Sequence, residues 1–118
     1  MSMTRGLILT RGDVVMVDFD PTVGHEQGGQ RPALVVSADD LNRSPNGLLI
    51  VAPITGTDRN IPAHVRVSET EGGLTKSSVI MADQIRTISR QRVARRLGTV
   101  SAATMGQVET RLRRVLDL

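Results

Sequence analysis

The glycine-rich loop that leads into Arg31 is the first segment of the chain that could carry chemistry. It presents three polar side chains, His25, Glu26 and Gln27, and its glycines allow close approach to a ligand. Pro32 keeps Arg31 out of helical geometry, so the guanidinium is expected on extended backbone at a junction between loop and strand. A guanidinium binds phosphate or carboxylate through two parallel hydrogen bonds. The segment therefore indicates an anion site, with a solvated surface arginine as the alternative.

Thr55 ends a strongly apolar run at residues 48–54 and is followed by Gly56. A hydroxyl at that place can face a cleft and bind a ligand. The alternative is a threonine that caps a turn, which is common at the end of a strand.

A third group of donors lies at the two ends of a strand predicted at residues 78–82. Lys76 and Ser78 stand at its start, and Gln84 and Arg86 follow it. Gln84 and Arg86 share a face if the strand continues through them. Such groups can read bases through paired hydrogen bonds. The alternative is cross-strand pairing that protects a sheet edge.

Several classes of site are excluded or disfavoured by residue type. The chain has no cysteine, so it can form neither a disulfide nor a thiolate metal site. It has no motif of a serine hydrolase, a zinc protease or a phosphate-binding loop. Asp18 and Asp20 share a strand face by alternation alone, so we predict no metal site and no cofactor.

The distribution of charge points to a polyanionic partner. The net charge is only +3, but the segment from Gln84 to Leu118 has eight arginines against Glu109 and Asp117. A solvated helix face is the alternative for this segment. Phe19 is the only aromatic residue, so a bound nucleic acid would be held by hydrogen bonds, arginine planes and aliphatic walls rather than by several rings.

The pattern of short apolar runs and turns predicts a single domain over residues 1–118 that is mainly β. The segments between strands are too short for crossover helices, which favours a compact barrel with helices packed outside. We predict strands at residues 14–19, 32–37, 48–54, 63–67, 78–82 and 97–100, a helical turn at 39–43, a short helix at 89–94 and a terminal helix capped by Ser101. No apolar run approaches the roughly 20 residues that span a bilayer, so we expect a cytoplasmic protein without membrane contact.

Three spaced motifs closely resemble the MazF/PemK family of toxins. They are residues 12–21 with 24–32, the strand ending in Pro53-Ile54-Thr55, and the segment from Ser78 to Ile88. The resemblance implies an SH3-like small barrel of the CcdB/PemK type with a C-terminal helix, usually in a homodimer. It also implies an mRNA interferase that cuts single-stranded RNA at short motifs. Such a toxin inhibits translation and growth until a cognate MazE-like antitoxin covers the RNA groove with an acidic C-terminal tail.

The resemblance also implies roles for individual residues. The catalytic arginine and threonine of the family fall on Arg31 and Thr55, and the mobile loop beside the site contains His25, Glu26 and Gln27. His64 stands where some members contact RNA. With Lys76 from the pattern above, the predicted RNA-binding residues are His64, Lys76, Ser78, Gln84 and Arg86. Met16 stands where many relatives have an aromatic residue.

Such a site needs no metal, because RNA carries its own nucleophile. Attack by the 2′-hydroxyl gives a 2′,3′-cyclic phosphate and a 5′-hydroxyl. Arg31 would stabilise the developing charge and Thr55 would hydrogen-bond the phosphate or orient the hydroxyl. The acceptor of the 2′ proton stays open between Glu26, His25 and Arg31. The alternatives are a gyrase poison of the CcdB type, acting through its C-terminal helix, and a non-catalytic nucleic-acid-binding barrel.

Overall fold

The computed structural model describes residues 7–19 and 29–118, and an antiparallel sheet lies at its centre. The strands are β1 (Asp13–Asp18), β2 (Gln30–Val35), β3 (Leu48–Thr55), β4 (His64–Val67), β5 (Ser78–Met81), β6 (Arg86–Ser89) and β7 (Val93–Thr99). They lie in the order β4-β5-β3-β2-β1-β7, and β6 also pairs with β3. The helices are α1 (Asp39–Asn42) and α2 (Ala102–Leu116), with 3₁₀ turns at Glu71–Gly73, Ala82–Gln84 and Arg90–Arg92.

Strand β3 is apolar throughout because both of its faces are covered. Leu49 and Val51 point into one hydrophobic cluster, while Ala52 and Ile54 belong to another on the opposite side. The period of two along a strand produces this division. Helix α2 covers the second cluster through residues such as Val108. The central strand is therefore held by packing on both faces as well as by its neighbours.

The predicted mainly β fold with a C-terminal helix is confirmed. Within residues 7–19 and 29–118 the sheet is open, with β4 and β7 as unpaired ends of the strand order, so the described strands do not close a barrel. Helix α2 begins after Ser101, whose hydroxyl accepts a hydrogen bond from Thr104 N at 3.1 Å, as the cap prediction required. In the described part of the chain, no helix has the length and apolar character needed to cross a bilayer.

Three predicted elements were wrong in their extent. The helix predicted at residues 89–94 is only the single 3₁₀ turn Arg90–Arg92, although Ser89 does cap it by accepting a hydrogen bond from Gln91 N at 3.2 Å. Val93 then leaves the turn because its buried side chain pairs with Val17 of β1, so β7 begins earlier than the predicted residue 97. The strand predicted at residues 78–82 ends at Met81 and gives way to a 3₁₀ turn.

Glu71 joins the turn at Glu71–Gly73 to the first turn of α2. Its Oε2 accepts hydrogen bonds from Ser101 N at 3.0 Å, Ser101 Oγ at 3.3 Å and Thr104 Oγ1 at 2.6 Å. The carboxylate thus neutralises donors at the positive end of a helix. The hydrogen bond from Thr104 is the main reason why the pKa of Glu71 lies below its ordinary value of 4.5.

We expect Glu71→Gln to lower the free energy of unfolding by about 0.3–1 kcal/mol at neutral pH, because it removes an anion from a helix N-terminus. A carboxyl whose pKa is lowered by folding stabilises the folded chain fully above its unfolded pKa, here near 4.5. That contribution is lost as the pH falls through the lower folded-state pKa. Urea unfolding of both forms between pH 7 and pH 3 should therefore show a difference that shrinks below about pH 4.5. A difference that is independent of pH would contradict the role of the charge.

Candidate functional site

Arg31 and Thr55 lie at the same end of two neighbouring strands. Arg31 is exposed on β2 and stands opposite Val17 of β1, and Thr55 is the half-buried last residue of β3. The β2–β3 ladder ends with Ala33 opposite Pro53. Carrying this antiparallel register two residues further brings Arg31 opposite Thr55, with both side chains on one face of the sheet. The ladder itself stops two residues short of Arg31 and Thr55, so the two lie just beyond its last pair.

The hydroxyl of Thr55 has a fixed acceptor role. Its Oγ1 accepts a hydrogen bond from the backbone N–H of Thr57 at 3.3 Å. Since a hydroxyl has one donor and two acceptor sites, the Thr55 proton is left to donate to another group. The turn-capping alternative is therefore also realised, and it is compatible with a ligand on the same oxygen.

Lys76 lies across Gly56, the residue after Thr55. A Cβ placed on Gly56 would come 2.8 Å from Lys76 Cε and 2.9 Å from Nζ, so only a residue without a side chain leaves this space open. The buried hydroxyl of Ser78 donates a hydrogen bond to Lys76 O at 2.9 Å, which fixes the backbone at Lys76. Lys76 is exposed and forms no ion pair with any side chain of residues 7–19 or 29–118.

Arg86 stands at the start of β6, opposite Val51 of β3. Its guanidinium carbon lies 5.1 Å from the ring centroid of Phe19, which is a cation–π distance. Phe19 is 3% exposed, so the only phenyl ring of the chain is buried and stacks against the Arg86 guanidinium from the core side. Since Val51 and Phe19 belong to the same cluster, Arg86 emerges on the face shared by Arg31 and Thr55.

The predicted common strand face of Gln84 and Arg86 is not present. Gln84 is the exposed last residue of the turn Ala82–Gln84, and Ile85 separates it from β6. The backbone turns here because β5 and β6 pair with different parts of β3, β5 with Thr55 and β6 with Leu48–Val51. Alternation therefore does not relate these two side chains.

His64 is buried, with its side chain 4% exposed, at the start of β4. Its Nε2 lies 3.0 Å from Asp83 Oδ1, while the buried Nδ1 has no partner among the described residues. The ring lines a cavity of about 150 Å³ together with Asn60, Arg66 and Arg111. This cavity adjoins a second one of about 310 Å³ that is lined by Gly56 and Ser78, and the two share Asp58, Arg66 and Val79.

Asp58 is a fixed anion between these cavities. The backbone N–H of Asn60 donates to its Oδ1 at 2.9 Å, and Arg66 Nε donates to its Oδ2 at 2.5 Å. The hydrogen bond from Asn60 is the largest cause of a lowered pKa at Asp58, and the contact with Arg66 acts in the same direction. Asp58 therefore stays ionised at neutral pH and cannot serve as a proton donor there.

The structure thus places Arg31 and Thr55 at the same end of β2 and β3, with Lys76 over Gly56 and its carbonyl bound by Ser78. The guanidinium of Arg86 lies over Phe19. His64 lies in the adjoining cavity, and Gln84 lies on an exposed turn directly after Asp83, the hydrogen-bond partner of His64. Predicted loop residues His25, Glu26 and Gln27, and the dismissed metal candidate Asp20, lie outside the described residues. Sequence reasoning missed Asp58, and it assigned no role to Gly56 and Asp83, although both lie in segments that it singled out. Only the position of Gly56 directly after Thr55 gave a signal, because a glycine beside a candidate site permits close approach.

Comparison with known proteins gives consistent matches over nearly the whole chain. Residues 10–116 match the family described as PemK-like, MazF-like toxin of type II toxin–antitoxin system. Endoribonuclease MazF9 of Mycobacterium tuberculosis strain H37Rv is 39% identical over 116 residues, which cover 94% of this chain and 98% of that protein. Endoribonuclease EndoA of Bacillus subtilis strain 168 is 40% identical over 115 residues, covering 95% and 97%.

Solved structures agree with this assignment. MazF from Deinococcus radiodurans superposes with a TM-score of 0.81 at 33% identity and covers 94% of this chain and 98% of its own. A MazE–MazF structure from the same organism gives a TM-score of 0.78 at 30% identity, with 94% and 97% covered. Fold, motif order and both kinds of match lead to one assignment: the chain belongs to the PemK-like, MazF-like toxin family of type II toxin–antitoxin systems.

Proposed function

We propose that this chain is a metal-independent endoribonuclease that cuts single-stranded RNA, chiefly messenger RNA, at a short sequence motif. Two relatives about 40% identical over nearly the whole chain are endoribonucleases by name, which supports RNA cleavage over a gyrase poison. The observation that carries the proposal is the β2–β3 register, which ends at Ala33 and Pro53 and, if extended by two residues, would place Arg31 opposite Thr55. A permanent cation and a free hydroxyl proton then face one scissile phosphate.

In the proposed reaction the 2′-hydroxyl of the substrate attacks the neighbouring phosphorus. A new P–O bond forms to the 2′ oxygen while the bond to the 5′ oxygen breaks, which leaves a 2′,3′-cyclic phosphate and a 5′-hydroxyl. Arg31 donates two hydrogen bonds to the phosphoryl oxygens as negative charge develops. Thr55 donates its proton to the same phosphate, since its lone pair already binds Thr57 N.

Proton transfer completes the proposed mechanism. The 2′ proton leaves to a base, for which Glu26, His25 and Arg31 remain the candidates, and the departing 5′ oxygen takes up a proton from Arg31 or, where Arg31 is the base, from water. Asp58 is ionised, so it does not donate a proton at neutral pH, and its carboxylate oxygens are occupied by Asn60 N and Arg66 Nε, so we give it neither step. Gln84 and Arg86 bind the RNA bases, and His64 contributes from the adjoining cavity.

The family assignment also supplies the proposed partners. Solved relatives include MazE–MazF structures and an endoribonuclease in complex with its cognate antitoxin from a mycobacterial species. We therefore propose a homodimer that is silenced by a MazE-like antitoxin with an acidic tail, which complements the cations Arg31, Lys76 and Arg86. Because messenger RNA is the substrate, the enzyme acts in the cytoplasm and inhibits translation and growth.

The test is cleavage of a long unstructured RNA by the purified chain in excess EDTA. We expect fragments with 2′,3′-cyclic phosphate and 5′-hydroxyl ends at one recurrent short motif, at the same rate with and without the chelator. Mapping the ends by primer extension identifies the motif. An intact RNA, or cleavage that stops in EDTA and returns with Mg²⁺, would contradict the proposal.

A further inference from the structure

Lys76 is the one cation at this end of the sheet to which the reaction above gives no specific task. Its side chain is laid over Gly56, beside Thr55, in a space that exists only because residue 56 lacks a Cβ. Ser78 holds the lysine carbonyl at 2.9 Å. The backbone from which this side chain leaves is therefore held in place, while the ammonium is exposed. Since it forms no ion pair within residues 7–19 and 29–118, its charge is available to a ligand.

The strand order decides which phosphate this cation can meet. Strand β3 lies between β2 and β5, so Thr55 has Arg31 on one side and the segment leading into β5 on the other. Neighbouring strands are about 4.8 Å apart, which separates the β2 and β5 backbones by about 10 Å. In the proposed reaction, Arg31 and Thr55 hold the scissile phosphate between them. Lys76 stands on the far side of Thr55, where the next phosphate along a strand crossing the sheet would lie.

We propose that Lys76 binds the phosphate adjoining the scissile one, and that Gly56 is glycine to keep the path of this lysine open. This inference rests on the proposed function and adds a second backbone contact to it. Because a neighbouring phosphate does not change charge during the reaction, the contact is equally strong in ground state and transition state. Such a contact lowers KM and leaves kcat nearly unchanged.

Binding to a non-cleavable RNA, with 2′-deoxy at the cleavage position, tests the contact directly. We expect Lys76→Met to weaken binding about fivefold at low salt. The slope of log Kd against log salt should fall by about 0.7, the value of one lost phosphate contact on a single strand. The loss should be the same for RNAs that differ in base sequence outside the cleavage motif, because a phosphate contact carries no sequence information. An unchanged Kd or an unchanged slope overturns the inference.

Gly56→Ala serves as a second variant that leaves Lys76 in the chain. The backbone at Gly56 is open to any residue, and the added methyl group meets only the flexible end of Lys76, so the fold should persist. We expect weaker binding from Gly56→Ala alone and no further loss when it is combined with Lys76→Met. Gly106→Ala is the matched control, since its Cβ meets no atom within 4 Å. Fully additive losses overturn the role of Gly56 as the opening for Lys76.

An RNA with a neutral methylphosphonate at either neighbouring position completes the design. At one of the two positions the substitution should remove the difference between the parent chain and Lys76→Met. A difference that persists at both positions assigns Lys76 to another part of the RNA and overturns the inference. If the parent chain cuts RNA with the expected ends but Lys76→Met binds normally, only this inference fails. If the parent chain neither binds nor cuts single-stranded RNA, the proposed function fails with it.

Discussion

Arg31→Ala is expected to lower the rate of RNA cleavage about 10²–10³-fold, while the chain keeps its fold. Arg31 is exposed on β2, so its truncation leaves no cavity and no buried polar group. The loss is catalytic because a preorganised donor to a developing oxyanion acts mainly in the transition state. Single-turnover cleavage at saturating enzyme, with far-UV circular dichroism and thermal unfolding beside it, measures the effect.

Arg43→Ala provides the control for loss of one positive charge. Arg43 is exposed directly after α1, at the end of β2 that lies opposite to Arg31. Its replacement by alanine should therefore leave the cleavage rate unchanged. Equal losses in both variants would mean that net charge, rather than a site, drives RNA processing. An Arg31→Ala chain that cuts at the parental rate would remove the basis of the proposed mechanism.

A substrate with 2′-deoxy at the cleavage position should resist cutting completely at that bond. The substitution removes the nucleophile itself, whereas all enzyme contacts to the phosphate remain. Binding should therefore change by no more than about fivefold, the effect of one neutral hydrogen bond. End-labelled RNA on a denaturing gel measures cleavage, and a filter-binding assay on the same molecule measures affinity.

The matched control is the same RNA with the deoxynucleotide moved two positions away. This molecule should be cut at the normal rate and at the normal bond. Cleavage of the first substrate with a 5′-phosphate product would show that water is the nucleophile. In that case Thr55 and Arg31 would have to activate a solvent molecule instead of an internal hydroxyl.

Local sequence patterns correctly predicted the elements that are determined by interactions between residues close in sequence. The apolar run at β3 and the cap at Ser101 depend on burial and on hydrogen bonds within a few residues, and both are confirmed. Strand β6 was not separated from β5 because its identity depends on the distant Leu48–Val51 segment of β3. Such long-range pairing does not follow from hydrophobic period alone.

The candidate site shows the same division. The junction at Arg31 and the strand end at Thr55 were visible as residue types next to glycine and proline. Their juxtaposition became visible only from the β2–β3 register. The contact between His64 and Asp83 joins residues 19 apart in sequence and requires both the β4–β5 pairing and the turn after β5. The mutual position of Lys76 and Gly56 likewise depends on how β5 approaches β3.

Strand β3 pairs with β2, β5 and β6, and its side chains fill both hydrophobic clusters. Opening it locally would break almost everything that keeps the chain folded, so its amide hydrogens should exchange with solvent only through global unfolding. Thr55 is the last residue of this strand, which we expect to be the most stable element of the fold. We therefore expect control of the activity to come from a binding partner, such as the proposed antitoxin, rather than from local unfolding of β3.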